Sequence, residues 1–92
     1  MLDIHFEKEN SRAAAYENQV KIGECDIVDM GGYWKIIHTE VDPDQGGRGI
    51  ARMLVDAVVQ AAKQEGVKID PSGCSYADHV FEKEPNYQAI RK

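Results

Sequence analysis

Residues Asp44-Gln45-Gly46-Gly47-Arg48-Gly49-Ile50-Ala51 place three glycines between a strand-like run and an amphipathic stretch. Backbone N–H groups with no side chain in the way can converge on a phosphate, and the positive end of a following helix dipole adds to the attraction. The pattern predicts an anion cradle and a phosphorylated ligand. No Lys-Ser/Thr pair follows the glycines, which argues against a nucleoside-triphosphatase, although another nucleotide-like ligand remains a rival occupant. Two further residues can do chemistry. Cys74 lies immediately before a helical stretch, where a helix N-terminus favours thiolate over thiol. His38, within an apolar run, has an intrinsic pKa suited to moving a proton near neutrality. The plainer readings are a small packed thiol and a histidine satisfied inside the sheet. Asp3, Glu7, Glu17 and Glu24 are too scattered to make a metal site.

The elements that must position these groups are legible as periodicities. Leu2 to Lys8 alternates apolar and polar residues, the pattern of a half-buried strand. Arg12 to Glu17 reads as a second strand, and Asn18-Gln19 as a turn into a third, Val20 to Met30, with its pairing interrupted near Gly23 or Glu24. After the Gly31-Gly32 turn, Tyr33 to Val41 carries apolar residues on both faces, as expected of a central strand covered on both sides. A helix is predicted from about Gly49 to Glu65, with Ile50, Leu54, Val58, Ala61 and Ala62 inward and Arg52, Asp56, Gln60 and Lys63 outward. Gly66 stops it. Val67-Lys68-Ile69 reads as a short strand and Ser75 to Glu84 as a second helix, with Tyr76, Val80 and Phe81 inward.

These elements make an α/β (α+β) fold with a mixed sheet of about five strands. The N-terminal strands are antiparallel, and the fifth returns parallel to the fourth through a right-handed crossover. If those two strands part after the glycine loop, they leave a wedge for an extended ligand with a phosphate at one end.

Length and composition narrow the function classes. A chain of 92 residues is expected to be one domain, 1–92, with a small core. Its formal charge of −5 argues against nucleic acid as a partner and suits a cationic one such as an amine. No run is apolar enough to span a bilayer and the N-terminus does not read as a secretory signal, so the expectation is a cytoplasmic protein without a membrane partner. Cys25 and Cys74 have neither zinc-ligand nor redox spacing and read as free thiols. Exposed edge strands leave a monomer or a weak homodimer as the expected state.

The order strand, glycine loop, amphipathic helix, short strand and terminal helix, with Gly46-Gly47-Arg48-Gly49-Ile50-Ala51, resembles the acetyl-CoA-binding segment of the GNAT acyltransferase superfamily. The sequences Ile37-His38-Thr39-Glu40-Val41, Gly49-Ile50-Ala51, Cys74-Ser75-Tyr76 and Glu84-Pro85-Asn86-Tyr87 are similar to the very short, stand-alone GNAT-like N-acetyltransferase domains of about this length. The resemblance covers nearly the whole chain. It implies acetyl-CoA as cosubstrate and an amine as acceptor, with no metal. The pyrophosphate would rest on the amides of Gly46, Gly47, Arg48, Gly49, Ile50 and Ala51, and pantetheine would run along the fourth strand beside Thr39 and Val41. One departure stands out. The superfamily usually carries Arg or Gln where this chain has Gly46, with Gln45 one residue early, and Arg48 is the compensating cation on hand. The short family also lacks the N-terminal helices that shape the acceptor site of larger members.

Acetyl transfer from a thioester to an amine needs a deprotonated amine, a polarised carbonyl and a proton for the departing thiolate. The resemblance places Cys74 near the thioester, either as an acetyl-accepting nucleophile or as a wall of the pantetheine channel. It suggests Tyr76 as the acid that protonates the leaving thiolate, against the reading of a core tyrosine with a wet tip. His38 is the candidate base, with Glu40 able to act through a water or simply to be solvated. His79 reads as a surface residue. The alternative function is a CoA-binding or protein-interaction module with the cradle but no productive acceptor site.

Overall fold

The computed structural model describes residues 1–92. Strands β1 (Leu2–Glu7), β2 (Arg12–Glu17), β3 (Val20–Asp29) and β4 (Tyr33–Val41) pair antiparallel in sequence order, and β5 (Lys68–Asp70) joins parallel to β4. Tight turns set the register. Asn18 and Gln19 adopt φ of 51° and 70°, the left-handed pair that a two-residue hairpin requires. Gly31 and Gly32, at φ of 85° and 128°, turn β3 into β4 and are closed by Met30 N–H donating to Tyr33 O at 2.8 Å.

Two irregularities bend the sheet. Between Ala15↔Gly23 and Tyr16↔Lys21 the extra residue is Ile22, just before the interruption expected near Gly23 or Glu24. Between Asp26↔His38 and Ile27↔Ile36 the extra residue is Ile37. Each bulge inserts one residue into a ladder and so changes which face the following side chains occupy. The second lets Trp34, Ile36, Thr39 and Val41 all serve the same face of β4 although their spacing is not uniform.

Helix α1 (Ile50–Glu65) crosses that face, and α2 (Ser75–Lys83) follows β5. Gly66 ends α1 in the left-handed conformation, φ 71°, with Gly66 N–H donating to Lys63 O and Val67 N–H to Ala62 O. The inward stripe of α1 is Ile50, Leu54, Val55, Val58, Val59 and Ala62. Val55 and Val59 extend the expected stripe, whereas Ala61 sits at its margin and is only half-buried. With Ala13, Ala15, Cys25, Trp34, Ile36, Ile69 and Phe81 these residues form one core cluster, and Phe6 stacks on Trp34 with centroids 5.1 Å apart.

Two expectations are corrected. Strand β4 is not covered on both sides: both helices feed the single core, and Ile37, the bulged residue, remains 44% exposed. Tyr76 is not inward. The buried residues of α2 are Ala77, Val80 and Phe81, and Tyr76, at the edge of that stripe in the first turn, is 38% exposed.

Candidate functional site

The glycine loop ends in a helix N-terminus whose amides are unused. Pro43–Gln45 form a short 3-10 turn in which Gly46 N–H donates to Pro43 O at 3.3 Å, and the first bond of α1 runs from Met53 N–H to Gly49 O at 3.1 Å. Between these, the backbone amides from Gly47 to Arg52 donate to no backbone oxygen. Gly47 and Gly49, at φ of 83° and 75°, turn the chain through conformations that only glycine adopts without strain, and the space a Cβ would fill at either is open. Unpaired amides at the positive end of a helix can receive an anion, and this loop is the candidate cradle. The cleft holds about 230 Å³ and is lined by Val41, Gln45, Gly46, Gly47, Gly49, Ile50, Ala51, Arg52 and Tyr76.

Beside the cradle β4 and β5 part company. They pair only from Tyr33↔Lys68 to Lys35↔Asp70, after which β5 ends and the chain turns through Pro71-Ser72-Gly73. Gly73 passes so near β4 that a Cβ there would lie 2.6 Å from Ile36 O, so only glycine permits this approach. Cys74 follows as the N-cap of α2, accepting Asp78 N–H through its carbonyl at 2.9 Å while its side chain caps nothing. Instead its Sγ donates to Thr39 Oγ1 at 3.5 Å, and that hydroxyl donates to Cys25 Sγ at 3.5 Å. Both cysteines are free thiols. Burial pushes the Cys25 thiol up to about 12, and burial also raises the Tyr76 phenol, with the Arg52 charge working the other way.

The opposite face of the same strands is open and acidic. Glu24 pairs across from Glu40 and Asp26 from His38, so strand alternation puts these four side chains together, on the other side of the sheet from Cys25 and Thr39. His38 Nε2 lies 2.9 Å from Glu40 Oε1, and that hydrogen bond raises the imidazole pKa. Burial, and then the neighbouring Glu24 carboxyl, push Asp26 up to about 6. A small cleft of about 50 Å³ opens here between Lys21, Glu24, Glu40 and Asp42.

The structure therefore brings Thr39, Val41, Gly46, Gly47, Gly49, Ile50, Ala51, Cys74 and Tyr76 to one side of the sheet and leaves His38 on the other. It also redirects Arg48, whose guanidinium is held by Gln45 Oε1 at 2.7 Å and Glu17 Oε1 at 3.0 Å and does not line the cradle. The cation that does is Arg52, bonded to Glu84 at 2.7 Å and stacked 5.6 Å from the Tyr87 ring centre. Its signal in the sequence was a basic residue in a first helical turn, where the dipole disfavours one unless an anion is near.

A larger groove of about 470 Å³ lies between β1 and α1, lined by Ile4, Met53, Asp56, Ala57 and Tyr87 with Arg52 common to both. Its polar groups are already paired, Tyr87 donating to Asp56 at 2.8 Å. Size alone does not outweigh a row of free donors, so the cradle is the candidate site.

A model of the GCN5-related N-acetyl-transferase family matches residues 12–90, from the start of β2 to the end of the last turn. The chain belongs to that family. Among solved structures it is similar to a GCN5-like protein from Staphylococcus aureus, described as a candidate N-acetyltransferase. The TM-score is 0.76 at 29% identity, over 99% of this chain and 88% of the other. It shares the fold of a ribosomal-protein-alanine N-acetyltransferase from Brucella melitensis biovar Abortus 2308, with TM-score 0.60 at 20% identity, over 78% of this chain and 58% of that one. No curated protein matches the chain in sequence. The five-stranded mixed sheet is the architecture the chain shares with these structures. No group of three or more His, Cys, Asp or Glu residues is placed to hold a metal, and no helix is long and apolar enough to cross a membrane.

Proposed function

We propose that this GCN5-related domain, residues 1–92 acting as one unit, binds acetyl-CoA and transfers its acetyl group to a primary amine. The observation that carries the reading is the row of unpaired amides from Gly47 to Arg52 at the mouth of the gap between β4 and β5. The two negative charges of a diesterified pyrophosphate suit such a row, and an extended thiol arm passing Val41 and Thr39 would bring its thioester toward Cys74. Arg52 supplies a cation to the phosphates.

In this reading Cys74 is the acetyl-accepting nucleophile. Its sulfur, having released its proton to solvent, attacks the thioester carbonyl, the bond to the CoA sulfur breaks, and Tyr76 gives the departing thiolate a proton and regains one from solvent. Attack by a neutral amine on the acetyl-cysteine then regenerates the thiol. The open face of the sheet, with Glu24, Asp26 and Glu40, supports recruitment of a cationic acceptor, and His38 on that face is the group to deprotonate it before it reaches the acetyl-cysteine on the other side. One observation favours a second reading, a CoA-binding module without transfer: the His38 side chain faces away from Cys74. A cytoplasmic setting fits the two free thiols, and the chain acts as a monomer or weak homodimer through its β1 edge.

Calorimetric titration with acetyl-CoA, followed by the intact mass of the incubated protein, separates these readings. Saturable binding with an added acetyl mass that disappears in Cys74→Ala supports the covalent route. Binding without added mass leaves direct transfer or the module, which an assay over a panel of primary amines divides. No binding refutes the cradle.

A further inference from the structure

The thiol of Cys74 does not stand alone. Its Sγ donates to Thr39 Oγ1, and the same oxygen donates to Cys25 Sγ, each over 3.5 Å. Thr39 and Cys25 are direct partners in the β3–β4 register, so the ladder itself holds the second link. Cys25 is fully buried, while Cys74 is half-buried beyond the end of the β4–β5 pairing. The chain thus runs from the surface into the core and ends on a thiol that solvent does not reach.

A hydroxyl both donates and accepts, which makes the direction of this chain reversible. With Cys74 neutral the order is Cys74 S–H to Thr39 O–H to Cys25 S. When Cys74 loses its proton to solvent or to a base, Thr39 can rotate its hydrogen onto the thiolate, and Cys25 S–H can donate to the Thr39 oxygen it has vacated. Only the proton from Cys74 leaves; the other two stay on their own atoms. Burial pushes the Cys25 thiol up to about 12, so its S–H remains available as a donor near neutral pH.

We propose that Thr39 and Cys25 are positioning residues for Cys74: the reversible hydrogen-bond chain fixes the sulfur at the gap between β4 and β5 and donates to it once it is a thiolate. This goes beyond assigning Thr39 to the pantetheine path, and its bearing on catalysis rests on Cys74 being the reacting group. The other polar groups around the chain are Asp26, next to Cys25 on β3, Lys35 on β4 beside Gly73, Tyr76 on α2 and Arg52 on α1. None of them hydrogen-bonds Cys74 Sγ, whose one partner is Thr39.

The test is the pH dependence of Cys74 alkylation by iodoacetamide in the full chain without acetyl-CoA, read by peptide mass between acid and alkaline pH. Thr39→Val is expected to move the midpoint upward and slow alkylation at pH 7 roughly tenfold, the scale of one lost hydrogen bond to a charged group. Thr39→Ser, which keeps the hydroxyl, is expected to restore the wild-type profile. Cys25→Ala shifts it in the same direction by a smaller factor. An unmoved midpoint in folded Thr39→Val, or failure of Thr39→Ser to restore it, overturns the proposal. If circular dichroism shows Thr39→Val to be unfolded, Thr39→Ser and Cys25→Ala decide: a wild-type profile in the first with a raised midpoint in the second upholds the chain, and any other pair overturns it. The result is independent of acetyl transfer. A Cys74 that takes no acetyl from acetyl-CoA yet shows this Thr39 dependence removes the nucleophile reading and leaves the chain standing.

Discussion

The two faces of β4 carry alternate residues of one short run and behave as different materials. Trp34, Ile36, Thr39 and Val41 look toward α1, the cradle and the thiols, while His38 and Glu40 look outward, with side chains 53% and 69% exposed. On the covered face a change of one methyl group alters packing against a dense core. On the open face a change of charge is screened by water. The proposed site, which would hold a long cofactor and admit an amine acceptor, gains from this division, because rigidity on one side does not constrain the other.

The contrast is open to attack at four points. Leu54→Ala, beneath the covered face, is expected to cost about 3 kcal/mol in urea unfolding, since Leu54 is fully buried against β3. A cost under about 1 kcal/mol would mean that the face is not a packed core. Gly49→Val should cost about 1–2 kcal/mol, because φ is 75° there, and should also remove acetyl-CoA binding by filling open space in the cradle. Retained affinity in calorimetry would refute the loop assignment.

On the open face the sign reverses. The folded Asp26 pKa of about 6 lies above the ordinary aspartate value, so the folded state binds the extra proton between the two. Stability contributed by that protonated form is present below the range and is lost as pH rises through about 6. Asp26→Asn is therefore expected to stabilise the protein at pH 7–8 by roughly 1 kcal/mol after allowance for solvent screening, with the gain vanishing near pH 4. A gain that does not change with pH would show that charge is not the cause. Smallest of all, Glu40→Gln should shift unfolding by less than about 0.5 kcal/mol while lowering the His38 pKa, read by proton NMR, because its hydrogen bond to Glu40 is what raises it.

Much of this was legible without coordinates. Alternation in β1, the glycine turn at Gly31 and Gly32, the stripe of α1 and its stop at Gly66 are local signals, each set by a repeat or a backbone preference within a few residues. The cradle was legible for the same reason: glycines ahead of a helix leave amides free whatever the rest of the fold does. The exposure of β4 was not legible, because apolar residues on both faces of a strand do not say whether one layer of helices or two will cover them. Nor was the fate of Arg48, which reaches Glu17 at the end of β2, 31 residues away in sequence. Arg52 took its place at the cradle because α1 turns it there. Tyr76 was misplaced by one helical position, enough to move it from the core to the rim.

What the sequence by itself determined is the menu of elements, the glycine cradle and the pairing of turns with strands, since these follow from dihedral preferences and hydrophobic period alone. Only the tertiary structure decided that the bulge at Ile37 separates His38 from Trp34 and Ile36 in facing, that β5 stops early and opens the gap, and that Cys25, Thr39 and Cys74, from three separate segments, meet in one hydrogen-bond chain. Those outcomes depend on register and on close approach between strands distant in sequence, and a one-residue shift in register sends every following side chain to the other face.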